Sequence, residues 1–259
     1  MQQAHDFGEE CDALYSLIAT LKPADFEKPT AFKGWTTNDV LVHLHYWNLA
    51  ADISLTDTKT LLTLVSGVAQ APTMRSHENS YIPERGNELL SIWYDLAKDM
   101  ASRWANLDPK QRVKWAGPDM SVRSSMTARQ MEHWAHGQEV YDLLGIEREN
   151  TDRIRNIVVL GVNTYGWTFK VRGETPPGDM PKLTLTSPSG DVWIYGRNKT
   201  DQIEGSAVEF CQVVTQTRNV ADTNLKTTGE AAIRWMEIAQ CFAGDAELPP
   251  EPGSRKRNQ

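Results

Sequence analysis

A glutamate and two histidines stand out in this sequence because their spacing could place them around one metal ion. Glu132 and His136 are four residues apart in the segment MTARQMEHWAHGQEVYDLLG, which has the apolar spacing of a helix. Side chains four residues apart on a helix have Cβ atoms about 5–6 Å apart. Zinc binds such oxygen and nitrogen atoms at about 2.0–2.2 Å. The spacing therefore makes Glu132 and His136 candidate ligands of one ion.

A third ligand must come from another helix, and the segment GWTTNDVLVHLHYW offers two histidines. Each residue advances about 100° around a helix, so His43 falls beside the apolar stripe of Val40 and Leu44. His45 points about 160° away from His43. We expect His43 to face inward and His45 to face solvent. If the two helices lie side by side, His43 completes a His/Glu/His site with a coordination position left for water or substrate.

The same residues also fit a structural role. A buried histidine bonded to a carboxylate satisfies both polar groups, and a glutamate four residues before a histidine is a common helix pair. On spacing alone, the metal-binding and the structural interpretation both stay open. Glu139 has two interpretations as well, since it could accept a hydrogen bond from a ligand histidine or form a salt bridge.

The composition limits the classes of function. With 259 residues, of which 40% are hydrophobic and 24% charged, the chain is typical of a soluble globular protein. A net charge of −7 disfavours binding to a nucleic-acid backbone. We find no apolar run near the ~18 residues of a membrane span, and the N-terminus lacks the pattern of a signal peptide. We expect a cytoplasmic protein that acts on a small molecule, with its three cysteines in the core.

Apolar periodicity predicts a helical N-terminal region that positions these side chains. The second helix begins at Thr36, whose side chain forms a capping box with Asp39. A later helix opens at Thr127 and stops at Gly145. The other predicted helices cover residues 6–22, 59–68 and 87–107, and residues 70–86 are predicted to be a loop. We place the end of this all-helical domain at residue 150, within a charged stretch.

Beyond residue 150 the pattern changes to a mixture of strands and helices. A helix is predicted to about Trp167, and a β-hairpin is predicted from the alternation in 182–186 and 192–196 around a Pro-Ser-Gly-Asp turn. A further strand is predicted at 169–171, and helices at 206–217 and 228–243, the last capped by Thr227. Residues 151–246 therefore form a small α+β domain, and 247–259 have the composition of a disordered tail.

Two of these segments, GWTTNDVLVHL at 34–44 and TARQMEHWAHGQEV at 127–140, resemble the mycothiol-dependent maleylpyruvate isomerase family. This family belongs to the DinB-like metal-binding bundles. The similarity extends over nearly the whole chain, since EGSAVEF at 204–210 resembles the start of the family's small C-terminal domain. The resemblance implies an α+β fold class, with an N-terminal DinB-like four-helix bundle followed by a small α+β domain.

The resemblance also implies a ligand set. In the family a divalent metal, typically zinc, is held by a histidine of the second helix and by a glutamate and a histidine four apart on a later helix. These positions match His43, Glu132 and His136. The chain has Asn48 and Glu139 where the family pattern leads us to expect aspartate, a departure that leaves the three ligands intact.

The family includes isomerases and transferases in which a low-molecular-weight thiol attacks an electrophilic small molecule. A coordinated thiol is deprotonated and becomes a nucleophile near neutral pH. We therefore expect an isomerase or transferase that uses a divalent metal, zinc, and a low-molecular-weight thiol. Asp39, Trp47 and Glu139 are the candidates for the surroundings of the ligands or for the pocket.

Two other interpretations stay open at this point. In the first, the ion acts as a Lewis acid, without any thiol, in the isomerisation, cyclisation or hydrolysis of a small molecule. In the second, the protein is not catalytic and the ion only holds helices together. An open coordination position favours the enzymes, because structural zinc sites are normally closed by four protein ligands.

Overall fold

The computed structural model describes residues 1–255, and the chain divides into two compact units, Met1–Leu143 and Leu144–Gln259. The first unit is mainly helical. Its elements are α1 (Gln2–Ile18), α2 (Thr37–Ile53), α3 (Thr58–Gln70), α4 (Met74–Tyr81), α5 (Gly86–Trp104), β1 (Arg112–Val113), β2 (Met120–Ser121) and α6 (Val122–Leu144). Helices α1, α2, α5 and α6 form the expected four-helix bundle, and β1 pairs with β2 in an antiparallel hairpin.

All four bundle helices contact the side chain of His133. The ring of Phe7 on α1 lies edge-on to it, with 5.0 Å between centroids. Its Nε2 accepts hydrogen bonds from Asn48 Nδ2 on α2 and Trp93 Nε1 on α5, each at 3.2 Å. Its Nδ1 donates to the backbone oxygen of Arg129 on α6 at 2.7 Å. Burial lowers the pKa of His133 to about 3, so the imidazole at the centre of the bundle is neutral.

The capping box predicted for α2 is confirmed. Thr36 Oγ1 accepts from the backbone N–H of Asp39 at 3.1 Å, and the Asp39 carboxylate accepts from the backbone N–H of Thr36 at 2.9 Å. Gly145 follows the last residue of α6 with a φ of 65°, the left-handed conformation that favours glycine at a helix end. These two local signals were readable because each depends only on neighbouring residues.

Three predictions for the first unit are wrong in detail. Residues 70–86 are not a loop, since they contain α4. The region is not entirely helical, since it contains the strands β1 and β2. These strands were not predicted because two residues are too few to show an alternating pattern. The helix predicted to open at Thr127 begins at Val122, directly after β2, so Thr127 lies inside α6.

The prediction that His45 faces solvent is also wrong. His45 is 7% exposed, because the helix face that it shares with Asn48 and Asp52 packs against other helices. Asn48 contacts His133 on α6, and Asp52 accepts a hydrogen bond from Trp104 Nε1 on α5 at 3.0 Å. Burial lowers the pKa of His45 to about 4, so this imidazole is also neutral.

The second unit is built around a four-stranded sheet. Its elements are α7 (Arg155–Asn163), α8 (Tyr165–Lys170), β3 (Lys182–Thr186), β4 (Val192–Tyr195), β5 (Gln202–Ser206), α9 (Ala207–Val214), β6 (Lys226–Thr228) and α10 (Glu230–Ile238). The strand order is β4-β3-β5-β6, in which β3 and β5 are parallel and the outer pairs are antiparallel. Buried Leu183, Leu185 and Ile203 alternate along β3 and β5, and Phe210 and Trp235 complete the core.

The hairpin predicted in the second unit is confirmed as β3 and β4, with Thr184 opposite Ile194. The strand predicted at 169–171 is wrong, since Phe169 and Lys170 end helix α8. The helix predicted from 228 begins at Glu230, because Thr227 pairs with Ile203 in β6. Strand β5 was not predicted, since its glycine and its charged residue interrupt the apolar alternation.

Residues 247–255 contain no helix or strand and hydrogen-bond to other parts of the second unit. Asn219 Nδ2 donates to the backbone oxygen of Pro250 at 2.8 Å. The disordered tail at 247–259 stays a prediction, and its residues 256–259 lie outside the described residues.

The boundary at residue 150 also stays a prediction. Cys11, Cys211 and Cys241 are buried, and none of the three forms a disulfide. Among residues 1–255, none of the helices has the length and apolar character needed to span a membrane.

We expect the substitution Asn48→Ala to destabilise the first unit by about 1–3 kcal/mol, because it removes a buried hydrogen bond to His133 and leaves a cavity. Urea unfolding of the full chain measures this change. Asn106→Ala provides the control, since Asn106 is exposed on the same unit and its loss should change stability by less than about 0.5 kcal/mol. Equal stability of the two variants would contradict the central role of the His133 contacts.

Candidate metal centre

The three side chains predicted as ligands lie together between α2 and α6. His43 Nε2 is 3.6 Å from Glu132 Oε2, and His136 Nε2 is 3.5 Å from the same oxygen. One ligand atom from each of the three residues lies within 4.8 Å of the others. The side chains of His43, His136 and Glu132 are 9%, 12% and 19% exposed, so the cluster is mostly shielded from water.

These distances fit the ligands of one divalent ion better than they fit hydrogen bonds. A hydrogen bond from nitrogen to oxygen spans about 2.7–3.2 Å, and both distances exceed this range. Two ligands bound to a tetrahedral zinc at about 2.0–2.1 Å are separated by about 3.3 Å, which is close to the spacing here. Two imidazole nitrogens and one carboxylate oxygen are also a donor set that zinc accepts. The residues present therefore fit such an ion.

Glu78 on α4 orients His43. Its Oε1 accepts hydrogen bonds from His43 Nδ1 at 2.9 Å and from Trp47 Nε1 at 2.7 Å, and its side chain is 1% exposed. A histidine whose Nδ1 donates to a carboxylate presents its Nε2 lone pair, once neutral, to an ion. Burial lowers the pKa of His43, but the carboxylates of Glu78 and Glu132 outweigh it and raise the pKa to about 9. Binding of an ion by Nε2 would therefore release a proton.

Glu78 was missed by the sequence analysis because α4 lacks an apolar stripe. Its eight residues, MRSHENSY, are mostly polar, and Glu78 is the buried one. One signal was present, since Thr73 and Ser76 form a capping box in which Thr73 Oγ1 accepts from the backbone N–H of Ser76 at 3.1 Å. That signal marks the start of a helix but gives no reason to bury a glutamate.

The other two candidate ligands, unlike His43, already have the protonation states that metal binding needs. Burial opposes ionisation of Glu132, but the nearby imidazoles of His136 and His43, with the charge of Arg129, hold the pKa of its carboxyl well below the usual range. Burial lowers the pKa of His136, although Glu132 opposes this effect. The pair therefore consists of a carboxylate and a neutral imidazole, which are the forms that bind metal ions.

Asp39 and Trp47 contact the helix that carries Glu78. The Asp39 carboxylate caps α2 and accepts from Asn79 Nδ2 on α4 at 2.9 Å. Burial opposes its ionisation, but the hydrogen bonds from Thr36 and Asn79 lower its pKa. Trp47 shares Glu78 with His43, and its ring lies 6.4 Å from the His43 ring.

Glu139 is 2% exposed on α6 and is not one of the three residues whose ligand atoms cluster. The roles of Asp39, Trp47 and Glu139 toward a ligand or a pocket stay predictions. All three lie on the two helices, α2 and α6, that hold the proposed ligands.

Two aromatic rings pack against His136 from the turn that precedes α2. The Trp35 ring is nearly parallel to the imidazole, at 5.5 Å and 5°, and the Phe32 ring lies edge-on at 5.1 Å. The turn between them places Gly34 at a φ of 67°, a conformation that glycine adopts without strain. This requirement explains the glycine of the GWT motif, which positions Trp35 next to the candidate metal centre.

The sequence matches a family model described as the Mycothiol maleylpyruvate isomerase N-terminal domain, over residues 7–141. Two uncharacterised proteins of Mycobacterium tuberculosis are similar over nearly their whole length. They are Rv0036c of strain H37Rv and MT0041 of strain CDC 1551, each 35% identical over 251 residues, which cover 96% of this chain and 96% of the relative.

The structure is similar to the crystal structure of a mycothiol-dependent maleylpyruvate isomerase, with a TM-score of 0.56 and 13% identity over 87% of this chain and 91% of that chain. A histidine-to-alanine mutant of such an isomerase gives a TM-score of 0.52 and 14% identity over 82% of this chain and 87% of that chain. At such low identity the likeness concerns the fold. It confirms the α+β fold class, with its helical N-terminal part, that the sequence predicted.

We expect Glu78→Gln to weaken zinc binding about 10- to 100-fold, since it keeps the shape of the side chain but removes the charge that orients His43. Competition with a chelating dye measures the affinity. Glu88→Gln is the matched control, because Glu88 is exposed on α5. If both variants bind zinc as tightly as the parent protein, Glu78 does not support the ligand histidine.

Proposed function

Because the chain belongs to the mycothiol maleylpyruvate isomerase family, we propose that it is a metal-dependent enzyme that uses a low-molecular-weight thiol to isomerise a small electrophilic molecule. The observation that carries the proposal is the mostly shielded cluster of His43, Glu132 and His136, whose ligand atoms lie within 4.8 Å of one another. Three such ligands leave a four-coordinate zinc one position for an exchangeable group, as in catalytic rather than structural sites.

A divalent ion held there would lower the pKa of a thiol that coordinates it. The resulting thiolate can add reversibly to a carbon–carbon double bond conjugated with a carbonyl. The former double bond can then rotate before the thiolate leaves and the double bond forms again. The thiol is regenerated and no atom is gained or lost, so the net reaction is an isomerisation. A substrate with a cis double bond beside a carbonyl group suits this chemistry.

The side chains of this protein have distinct tasks in that reaction. His43, Glu132 and His136 would hold the ion, and Glu78 would keep a proton of His43 on Nδ1, the ring nitrogen that faces away from the ion. Trp35 and Phe32 cover the ring of His136 and limit the access of water from that side. The ionised Glu132 offsets part of the positive charge of the ion. Together these contacts support an ion with one accessible coordination position.

We expect about one equivalent of divalent metal in the purified protein and a loss of this metal in the double variant His43→Ala/His136→Ala, because one ligand remains. Elemental analysis measures the content. His45→Ala is the matched control, since His45 is also buried on α2 but lies on the opposite face from His43. Equal metal content in the double variant and the parent protein would exclude the proposed ligand set.

We also expect the metal-loaded protein to isomerise maleylpyruvate when mycothiol is supplied and not when thiols are omitted. Ultraviolet absorbance follows the conversion of the cis to the trans isomer. The His43→Ala/His136→Ala variant, assayed with mycothiol, controls for the slow reaction of the free thiol. Equal turnover with and without thiol would contradict the thiol step and favour a Lewis-acid enzyme.

A further inference from the structure

Arg129 is a buried cation with an unpartnered nitrogen. The residue is 5% exposed on α6, and its Nη1 has no hydrogen-bond partner among the described residues. A buried N–H group without an acceptor is costly, and arginines are rarely buried unless their donors are paired. The arrangement therefore needs an explanation outside the stability of the fold.

The guanidinium of Arg129 lies beside the candidate metal centre. Arg129 precedes Glu132 by three residues, so the two side chains are neighbours on the surface of α6. Its guanidinium is 5.6 Å from the centre of the Trp115 ring, and this ring is 5.7 Å from that of Trp47. Trp47 in turn donates to Glu78, the residue that orients His43. Trp115 is part-exposed in the turn between β1 and β2, so this side of the cluster borders solvent.

We propose that Arg129 is the residue that binds a carboxylate of the substrate next to the candidate metal centre. The guanidinium has a planar fork of donors that matches two carboxylate oxygens, and such bonds are stronger in a shielded site than in water. This inference deepens the proposed function, on which it rests for the identity of the anion as substrate.

A role of Arg129 only as the counterion of Glu132 leaves the unpartnered Nη1 unexplained. The ligand oxygen of Glu132 already faces His43 and His136, at 3.6 and 3.5 Å. Burial lowers the pKa of Arg129, and the charges of Glu132 and Glu78 oppose this effect without supplying a partner for Nη1. A residue kept only to neutralise Glu132 would be expected to form a direct ion pair with it. An incoming carboxylate supplies the missing acceptor.

The test compares the zinc-loaded full chain with Arg129→Met, Arg129→Lys and Arg123→Met by calorimetric titration with maleate. Arg123 is exposed on the same helix, so Arg123→Met removes the same charge without touching the cluster. We expect Arg129→Met to weaken maleate binding about 10- to 100-fold, Arg129→Lys to weaken it less, and Arg123→Met to match the parent protein. The parent protein should also prefer maleate to maleamide, its uncharged diamide, and Arg129→Met should lose this preference.

Thermal unfolding and zinc content provide the second readout. Without maleate, Arg129→Met should be as stable as the parent protein and keep its zinc, since the three ligand side chains stay in place and an apolar side chain replaces a buried nitrogen that lacks an acceptor. Equal maleate affinity in Arg129→Met and the parent protein, or no measurable binding to the parent protein, would overturn the proposal. Loss of zinc in Arg129→Met would overturn it too, in favour of a counterion role.

The same titration on zinc-free protein separates this proposal from the proposed function. If maleate binding by the zinc-free protein depends on Arg129, the anion site is supported. This holds even if the purified parent protein contains no zinc, a result that would contradict a metal-dependent enzyme. Conversely, a zinc-loaded, thiol-dependent parent protein whose maleate affinity ignores Arg129 would refute the anion site and leave the proposed function standing.

Discussion

The imidazole of His133 is packed where α1, α2, α5 and α6 meet, and its two nitrogens are fully engaged by Asn48, Trp93 and the backbone of Arg129. These contacts fix the rotation of α6 about its own axis. Successive residues are about 100° apart on a helix, so once His133 points into the bundle, Glu132 and His136 are confined to one adjoining face. That face meets His43 on α2. The arrangement of the candidate metal centre therefore follows from a polar contact in the core.

Around the candidate metal centre, a small volume holds several buried charges that must balance. Glu78 and Glu132 supply negative charge, while Arg129 and the protonated His43 supply positive charge. Two carboxylates in a shielded site repel each other unless cations lie close to both. The proton on His43 meets this need in the protein alone, and a divalent ion meets it more strongly. An ion bound by His43 Nε2 would therefore take the place of the proton on this imidazole.

The sequence was sufficient for features that depend on local spacing. The Thr36–Asp39 box located α2, and helical periodicity placed Glu132 and His136 on one face of α6. It was not sufficient where tertiary packing decides. The error at His45 came from the assumption that α2 has a single buried face. In the structure α2 has buried residues on all sides, because α3, α4 and α5 pack around it. A helical wheel describes a helix with one solvent face and fails for a helix without one.

The omission of α4 has a related cause and concerns the site more closely. Its one buried residue is Glu78, a residue type that burial patterns assign to the surface. Only the positions of His43 and Trp47, on another helix, make that burial favourable. Likewise, the β1–β2 hairpin places Trp115 next to the guanidinium of Arg129. Each strand of this hairpin has two residues, which is too short for a periodic pattern in the sequence. Candidate ligands on regular helices are therefore easier to predict from a sequence than the polar side chains that surround those ligands.

The dependence of α4 on polar contacts bears on how the protein moves. With Glu78 as its buried side chain, this short helix lacks an apolar face and is held by polar and aromatic contacts, among them the hydrogen bonds of Glu78, that of Asn79 to Asp39 and the packing of Tyr81 on Tyr46. Segments with few buried apolar contacts open at low free-energy cost, without unfolding of the whole chain. Opening of α4 would expose the Nδ1 side of His43 to water. Such an opening would break the hydrogen bond that orients His43 while the rest of the bundle stays folded.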